Sequence, residues 1–379
     1  MYTRPAIINN YKSGLYDAPV RGLRNIIAYS DNTGNILFLN SIGDQIQNCT
    51  PVNIYLDFMK HPDEFMEKYD VLVLPMANMV SPTWSSPAFL DMLEKYPIPI
   101  VLVSIGIQAD TEDELKDFHL SADAKRLLDL AAQRSSTIGV RGAVTAELLA
   151  KLGYPVQIIG CPSVFSHPIK TVCNCKSTFE RIATHCTLHG LWREDIKNLF
   201  AFSRKYAQSY IAQSELRFLV DTYDISDETL EQWIQDSDRL IAAKNRLFEY
   251  FYYSNNEIEA QELRAWVRKS LKYFVDIQDW TKTLSEFDLI VGTRFHGTIV
   301  GLLAGTPSLL LTTDLRTKEL AEYHHIPHVP ISVLTPTTTP EDLRQYLNFD
   351  SYWTHRNLAH LRYFDFLRKN NLEAATNYL

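Results

Sequence analysis

The chain carries no surplus of positive charge, few cysteines and no apolar run long enough to cross a bilayer. Each absence closes off a class of function. Lys and Arg number 37 against 45 Asp and Glu, a formal net charge of −8. A chain of that sign lacks the global field that draws in nucleic acid or anionic lipid, although a local basic pocket stays compatible with it. The five cysteines (Cys49, Cys161, Cys173, Cys175 and Cys186) are sparse and odd in number. That suits reduced thiols in a cytoplasmic compartment rather than a disulfide framework. The longest apolar stretches, near residues 98–107 and 299–311, fall short of the roughly 20 residues a membrane helix needs. The first residues lack the apolar core of a signal peptide. The expectation is a soluble cytoplasmic protein without an integral membrane segment, at most peripheral to a membrane. Internal repeats are missing too, and Thr335-Pro-Thr-Thr-Thr-Pro340 reads as a loop.

What is present points to an α/β protein. With 379 residues, 46% hydrophobic and 22% charged, the chain has material for two cores at roughly 100–200 residues per domain. Asp70-Val-Leu-Val-Leu-Pro75 and Ile98-Pro-Ile-Val-Leu-Val-Ser-Ile-Gly106 are apolar runs of the kind found in buried parallel strands. Thr111-Glu-Asp-Glu114 has the form of a capping box. Residues 121–133 follow a helical period, with Leu127, Leu128 and Ala131 on one face. Residues 136–140 and 156–159 predict two further strands. The helix between them is expected to bury Val144, Leu148 and Leu152 and to end at Gly153. The rhythm breaks between residues 162 and 178, which marks a domain junction. Residues 191–273 read as mostly helical and rich in aromatics, with a strand near 216–221. Alternation then returns with a strand at Phe287-Asp-Leu-Ile-Val-Gly292, a helix over 297–304, a strand over 307–311 and a helix over 315–323. Strands alternating with helices imply mostly parallel sheets covered on both faces.

Chemistry concentrates at Gly292-Thr-Arg-Phe-His-Gly297. A buried strand ends there and a helix begins, which is where open α/β sheets bind ligands. The N–H groups of Thr293 through Gly297 would suit phosphate or carboxylate. Arg294 has the fork to hold an anion bidentately, and His296 can move a proton near neutral pH. Taken alone, an R-x-H turn is equally compatible with an ion-paired Arg and a His satisfied by backbone. One unit later, Asp314-Leu-Arg-Thr-Lys318 opens a helix with Asp314 as N-cap, and its Arg316 and Lys318 face either the same crevice as Arg294 or solvent. Arg141 occupies the same kind of corner after the third strand. Asn78 lies in the loop after the first strand, and Asn32-Thr-Gly-Asn35 is a polar turn that faces either the cleft or solvent.

Other clusters read as structural. Cys173-x-Cys175, with His185, Cys186 and His189, does not have the usual zinc spacing. Cys161 has no His partner near it in sequence and reads as a small buried residue. His324, His325 and His328 read as exposed, since adjacent histidines face different sides of a helix. The aromatic and basic stretch 239–253 reads as a buried helical layer rather than a membrane contact.

Several segments together resemble the polysaccharide pyruvyl transferase family. They are Asn32-Thr-Gly-Asn35, Tyr69-Asp-Val-Leu-Val-Leu-Pro75, Val103-Ser-Ile-Gly-Ile-Gln108, Gly139-Val-Arg-Gly-Ala-Val-Thr145 with Leu152-Gly153, Ile159-Gly-Cys-Pro-Ser163, Phe287 through Gly297, and Ala304-Gly-Thr-Pro307. The stretch 191–273 has no matching motif, and the first turn lacks the acidic residue that often follows the family's Gly-Asn. The resemblance implies a fold similar to GT-B glycosyltransferases, two Rossmann-like domains facing a cleft. The expected divisions are 1–165, on the acceptor side, and 166–345, on the donor side. A helical segment, 346–379, completes the chain and has a return to the first domain open to it.

The resemblance also implies a role in polysaccharide or exopolysaccharide biosynthesis, in which pyruvate from phosphoenolpyruvate is placed on a sugar as a cyclic ketal. The family's R-x-H residues fall on Arg294 and His296, expected as the catalytic pair. Thr293, Gly297, Arg316 and Arg141 are expected at the donor, and Asn32, Asn35 and Asn78 at the acceptor. The acceptor would be a sugar or a lipid-linked oligosaccharide. Such chemistry requires no metal, nucleotide or other cofactor. The rival readings are a nucleotide-sugar glycosyltransferase of the same fold and a non-catalytic glycan-assembly protein.

Overall fold

The computed structural model describes residues 1–9, 32–166, 177–186, 193–214, 266 and 269–378. Two parallel sheets organise them. The first runs β2 (Thr50–Val52), β1 (Pro5–Ile8), β3 (Val71–Leu74), β4 (Ile100–Leu102). An isolated parallel bridge between Ile105 and Val140 carries it on to β5 (Ile138–Val140) and β6 (Val156–Ile158). The second sheet has the order β12-β11-β10-β7-β8-β9. Its strands are β7 (Ile182–His185), β8 (Ser209–Ala212), β9 (Leu271–Tyr273), β10 (Leu289–Gly292), β11 (Ser308–Thr312) and β12 (His328–Pro330). Within this unit the order is that of the doubly wound nucleotide-binding sheets, in which a crevice opens where the winding reverses. Here the reversal lies between β7 and β10. Val71 to Leu74, Leu289 to Val291 and Leu309 to Leu311 are all fully buried, as strands covered by helices on both faces must be.

The expected two-unit α/β architecture is the one observed. A single apolar cluster includes Ile7, Val71 and Val101 of the first sheet together with Ala183, Ile290 and Leu310 of the second. Helix α1 (Gly34–Asp44) lies between them and packs on α5 (Phe295–Leu303). Helix α6 (Leu315–His324) ties the units together by a different route. Its buried Glu319 accepts hydrogen bonds from Thr145 N (3.0 Å) and Thr145 Oγ1 (2.7 Å), at the N-terminus of α3 (Ala143–Lys151). A carboxylate there satisfies an orphan N–H and suits the helix dipole. Helix α7 (Asp350–Lys369) crosses back to the first sheet. There Arg356 Nε donates to the Val164 carbonyl at 3.1 Å, and the Asn370 carboxamide bonds Ser136 N and Thr137 N.

Several local expectations need correction. The capping box at Thr111 does not form: a short turn of helix begins at Asp113, and no side chain caps it. The true start is one segment later, where Ser121 accepts from Ala124 N and opens α2 (Ala122–Arg134). In α3 the fully buried positions are Thr145 and Leu149, one residue on from the face expected, and Leu152 is exposed. The cause is Glu319, whose bond to Thr145 fixes which side of the helix faces inward. Gly153 does end the helix, at φ 88°, a left-handed conformation that suits glycine. The stretch 191–273, read as mostly helical, supplies helix α4 (Glu194–Tyr206) and strands β8 and β9. The strand expected at 216–221 and the aromatic stretch 239–253 lie outside the described residues.

Candidate active site

The carboxyl ends of six strands converge on one cleft of about 530 Å³. Loops after β3, β4 and β5 bring Asn78, Gln108 and Arg141 to it, and those after β8, β10 and β11 bring Gln213, Arg294 and Asp314. Every residue predicted as catalytic, donor-binding or acceptor-binding lines this cleft except Gly297. Thus Asn32, Asn35, Asn78, Arg141, Thr293, Arg294, His296 and Arg316 share a single space. Gly297 lies behind it, where a Cβ would come 2.7 Å from Gln213 Nε2 and from His185 Cδ2.

Arg141 is 4% exposed. Its backbone N–H donates to the Ile105 carbonyl at 2.9 Å, and its side chain makes one hydrogen bond among the described residues, from Nε to Ser104 Oγ at 3.4 Å. Among the described residues no carboxylate forms an ion pair with it. Its guanidinium lies 5.4 Å from the Phe38 ring centroid, and burial pushes its pKa down to about 10. It therefore stays charged at neutral pH, a buried cation lining a cavity without a counterion of its own. The resemblance carries a role to Arg141 only weakly, and the structure buries it in the wall of the cleft. Room for its stem comes from Gly106, where a Cβ would lie 2.7 Å from Arg141 Cδ.

Arg294 is pinned at the reversal of the second sheet. Its Nε donates to the Cys186 carbonyl at 3.1 Å, and its Nη2 donates to Ser214 Oγ. The backbone cradle expected at Thr293 and Arg294 is not available to a ligand. Thr293 N donates to the His185 carbonyl (3.0 Å) and Arg294 N to His185 Nδ1 (3.1 Å). His185 ends β7, the parallel neighbour of β10, so it reaches those donors first. Arg316 pairs with Asp314 at 3.1 Å and donates to Asn78 Oδ1 at 3.3 Å. Asn78, expected at the acceptor, thus also orients a cation. Asp314 is the N-cap of α6, accepting from Thr317 N at 2.7 Å. Lys318 turns away to Glu112 at 3.2 Å.

His296 sits in the first turn of α5 rather than in the loop before it. Its ring rests against Phe38, 5.9 Å between centroids, and Nε2 lies 3.6 Å from Cys161 Sγ. Cys161 does have a histidine near it, brought from the other sheet. Burial, with Arg141 and Arg316 adding to it, pushes the His296 pKa down to about 3, so the ring is neutral in the empty cleft at pH 7. Close approach of α1 depends on Gly34, where a Cβ would lie 2.8 Å from Gln213 Oε1 and 3.0 Å from His296 Nδ1. Gly34→Ala should therefore displace His296 from its station. A misplacement near 1 Å costs on the order of 10²-fold in rate. We expect a loss approaching that size with the unfolding temperature little changed, and unaltered turnover would refute it.

His324 is buried rather than exposed. Its Nε2 accepts the Cys161 N–H at 2.8 Å, and the ring packs edge-on against Phe165 and Tyr323. Its half-buried neighbour His325 stacks on His355, 3.5 Å between ring centroids. Burial lowers the His324 pKa to about 3, with Arg356 adding to it, and that of His185 to about 3, with Arg294 adding to it. Both stay neutral when native but take protons near pH 6.5 when unfolded. Their stabilisation is complete above pH 6.5 and is lost as pH falls toward 3, at up to about 1.4 kcal/mol per unit each. Together they should remove about 3 kcal/mol by pH 5.5. Thermal unfolding at pH 7.5 and 5.5 checks this, and equal midpoints would contradict it.

Sequence reading missed several residues of the cleft, among them Gln108, Asp110, Gln213 and Arg193. Gln108 was within reach, at the end of an already identified strand. Gln213 follows β8, a strand not anticipated. Arg193, paired with Asp195 at 2.6 Å, comes from the stretch without a matching motif. Among the described residues no group of three or more His, Cys, Asp or Glu is placed to hold a metal ion. Cys173, Cys175 and His189 lie outside them. No described helix is long and apolar enough to cross a membrane.

Parallel sheets that present arginines and one imidazole to a common cleft define an α/β protein with a site suited to an anionic substrate. The chain belongs to the polysaccharide pyruvyl transferase family, whose sequence model matches residues 32–314, and it is a transferase of polysaccharide biosynthesis on that ground. No curated protein is similar enough to match it. Among solved structures it is similar to a UDP-N-acetylglucosamine 2-epimerase from Rickettsia bellii, at 11% identity and TM-score 0.46, over 97% of this chain and 95% of that one. It is also similar to the UDP-GlcNAc 2-epimerase from Neisseria meningitidis bound to UDP-GlcNAc, at 11% identity and TM-score 0.42, over 82% and 80%. The glycotransferase of kitacinnamycin is similar at 12% identity and TM-score 0.35, over 96% and 95%.

Proposed function

We propose that this chain transfers the pyruvyl group of phosphoenolpyruvate to a sugar of a polysaccharide or its lipid-linked precursor, forming a cyclic ketal. The observation that carries the reading is Arg141, a buried cation with no carboxylate partner among the described residues, which lines the same cleft as Arg294, Arg316 and His296. A small donor with both a phosphate and a carboxylate answers that excess of positive charge. In the reaction His296 gives a proton to the methylene carbon, C3. The oxocarbenium-like centre at C2 is attacked by one sugar hydroxyl, the C2–O bond to phosphate breaks, and a second hydroxyl closes the ring. The two hydroxyls release two protons, and one of them leaves on the phosphate as hydrogenphosphate. The arginines stabilise the leaving group electrostatically, and Asn32 and Asn35 at the start of α1 meet the acceptor. We place the reaction in the cytoplasm, where a lipid-linked acceptor would bring the protein to the membrane surface.

Calorimetric titration with phosphoenolpyruvate and, separately, UDP-glucose and UDP-N-acetylglucosamine tests the donor without knowledge of the acceptor. Phosphoenolpyruvate should bind and the nucleotide sugars should not. The reverse result would replace this reading with a glycosyltransferase.

A further inference from the structure

A histidine that acts as an acid must hold a proton before the reaction, and its surroundings in this cleft do not supply one. The groups facing His296 come from five elements. The turn after β5 contributes Arg141, α6 contributes Arg316, the loop after β6 contributes the Cys161 thiol, β8 contributes Gln213, and α1 contributes Phe38. Two of these are cations and none is a carboxylate. The acids near the cleft are engaged elsewhere: Asp314 with Arg316 and the N-cap, Glu319 with Thr145, and Asp110, which lines the cleft, with the charges of Arg193 and Arg316. Among the described residues no Asp or Glu bonds His296, the arrangement that would otherwise favour an imidazolium.

We propose that the donor itself is the counterion His296 lacks, so that binding phosphoenolpyruvate draws one proton from solvent onto the imidazole and arms it. This rests on the donor reading above. Once the phosphate and carboxylate lie between Arg141, Arg316 and the ring, the repulsion that adds to burial in discharging the imidazole turns to attraction, and two anionic groups offset the cost of burying its charge. The proton taken up on binding goes to C3, and the acceptor hydroxyl proton not carried off on phosphate is returned to solvent. The complete cycle therefore shows no net uptake.

The test is calorimetry of phosphoenolpyruvate binding to the full chain at pH 7, in buffers of differing ionisation enthalpy, with wild type and His296→Gln side by side. Titration of the donor's own phosphate is common to both proteins and cancels in the difference. Wild type should take up close to one proton more per donor than the variant. A second measurement needs no variant. Between pH 7 and 8, where a phosphate of second pKa near 6 is already ionised, the wild-type Kd should rise several-fold, up to tenfold. Binding with equal proton counts and a flat Kd would overturn this inference and leave the donor reading standing. Absence of phosphoenolpyruvate binding would overturn both.

Discussion

Replacing His296 by glutamine is expected to lower ketal formation by about 10²–10⁴-fold, the usual contribution of a general acid, while donor binding survives. Glutamine keeps a polar side chain of similar reach beside Cys161 and Phe38 but has no proton to give to carbon. The loss should therefore fall on kcat. The measurement is release of phosphate from phosphoenolpyruvate in the presence of acceptor, alongside donor titration of the same preparation. A variant that turns over within a few-fold of wild type would remove His296 from the chemistry. One that fails to bind donor would make it an anchor instead.

The second large effect concerns Arg141, and it has two signs. Arg141→Met should weaken phosphoenolpyruvate binding by the 2–5 kcal/mol typical of losing one partner of a buried charge pair, about 30-fold to several thousandfold. Arg141→Lys should recover little, because a point charge does not reproduce a planar fork. The unliganded protein should behave oppositely. A buried guanidinium without a carboxylate carries its desolvation cost uncompensated, so methionine there should leave the unfolding temperature unchanged or raise it. Thermal unfolding without ligand separates the two roles. A sharp drop in that temperature with donor affinity intact would make Arg141 a structural residue.

Elements that announce themselves locally were legible. Val71 to Leu74, Leu289 to Gly292 and Ser308 to Thr312 are short apolar runs, and their burial on both faces is what such runs require. The strand-to-helix corners holding Arg294, Arg316 and Arg141 could be read because parallel sheets gather the carboxyl ends of their strands. What escaped depends on partners far away in sequence. Strand β7 carries Thr184 and His185 in a fully buried position, and only Arg294, 109 residues on, makes the histidine intelligible. The face of α3 was misjudged because Thr145, polar in sequence, is held inward by Glu319, 174 residues away. His324 looked exposed because its acceptor role toward Cys161, 163 residues earlier, has no local trace. The resemblance supplied the donor and the reaction, and the geometry added the depth of Arg141 and the neighbours of His296.

The bond from Glu319 to the start of α3 has one more consequence. Two sheets of this kind, joined by a linker alone, would melt as separate cooperative units. Here separating them would bare an amide in the first turn of a helix, leave a buried carboxylate without its donors and split an apolar cluster that both sheets share. The cluster shared by the two sheets cannot survive on one side alone, although each side also keeps a cluster of its own, so the two units are coupled in unfolding more tightly than a linker would couple them. The cleft in this sense helps hold the chain together: its two walls rest on one shared apolar cluster.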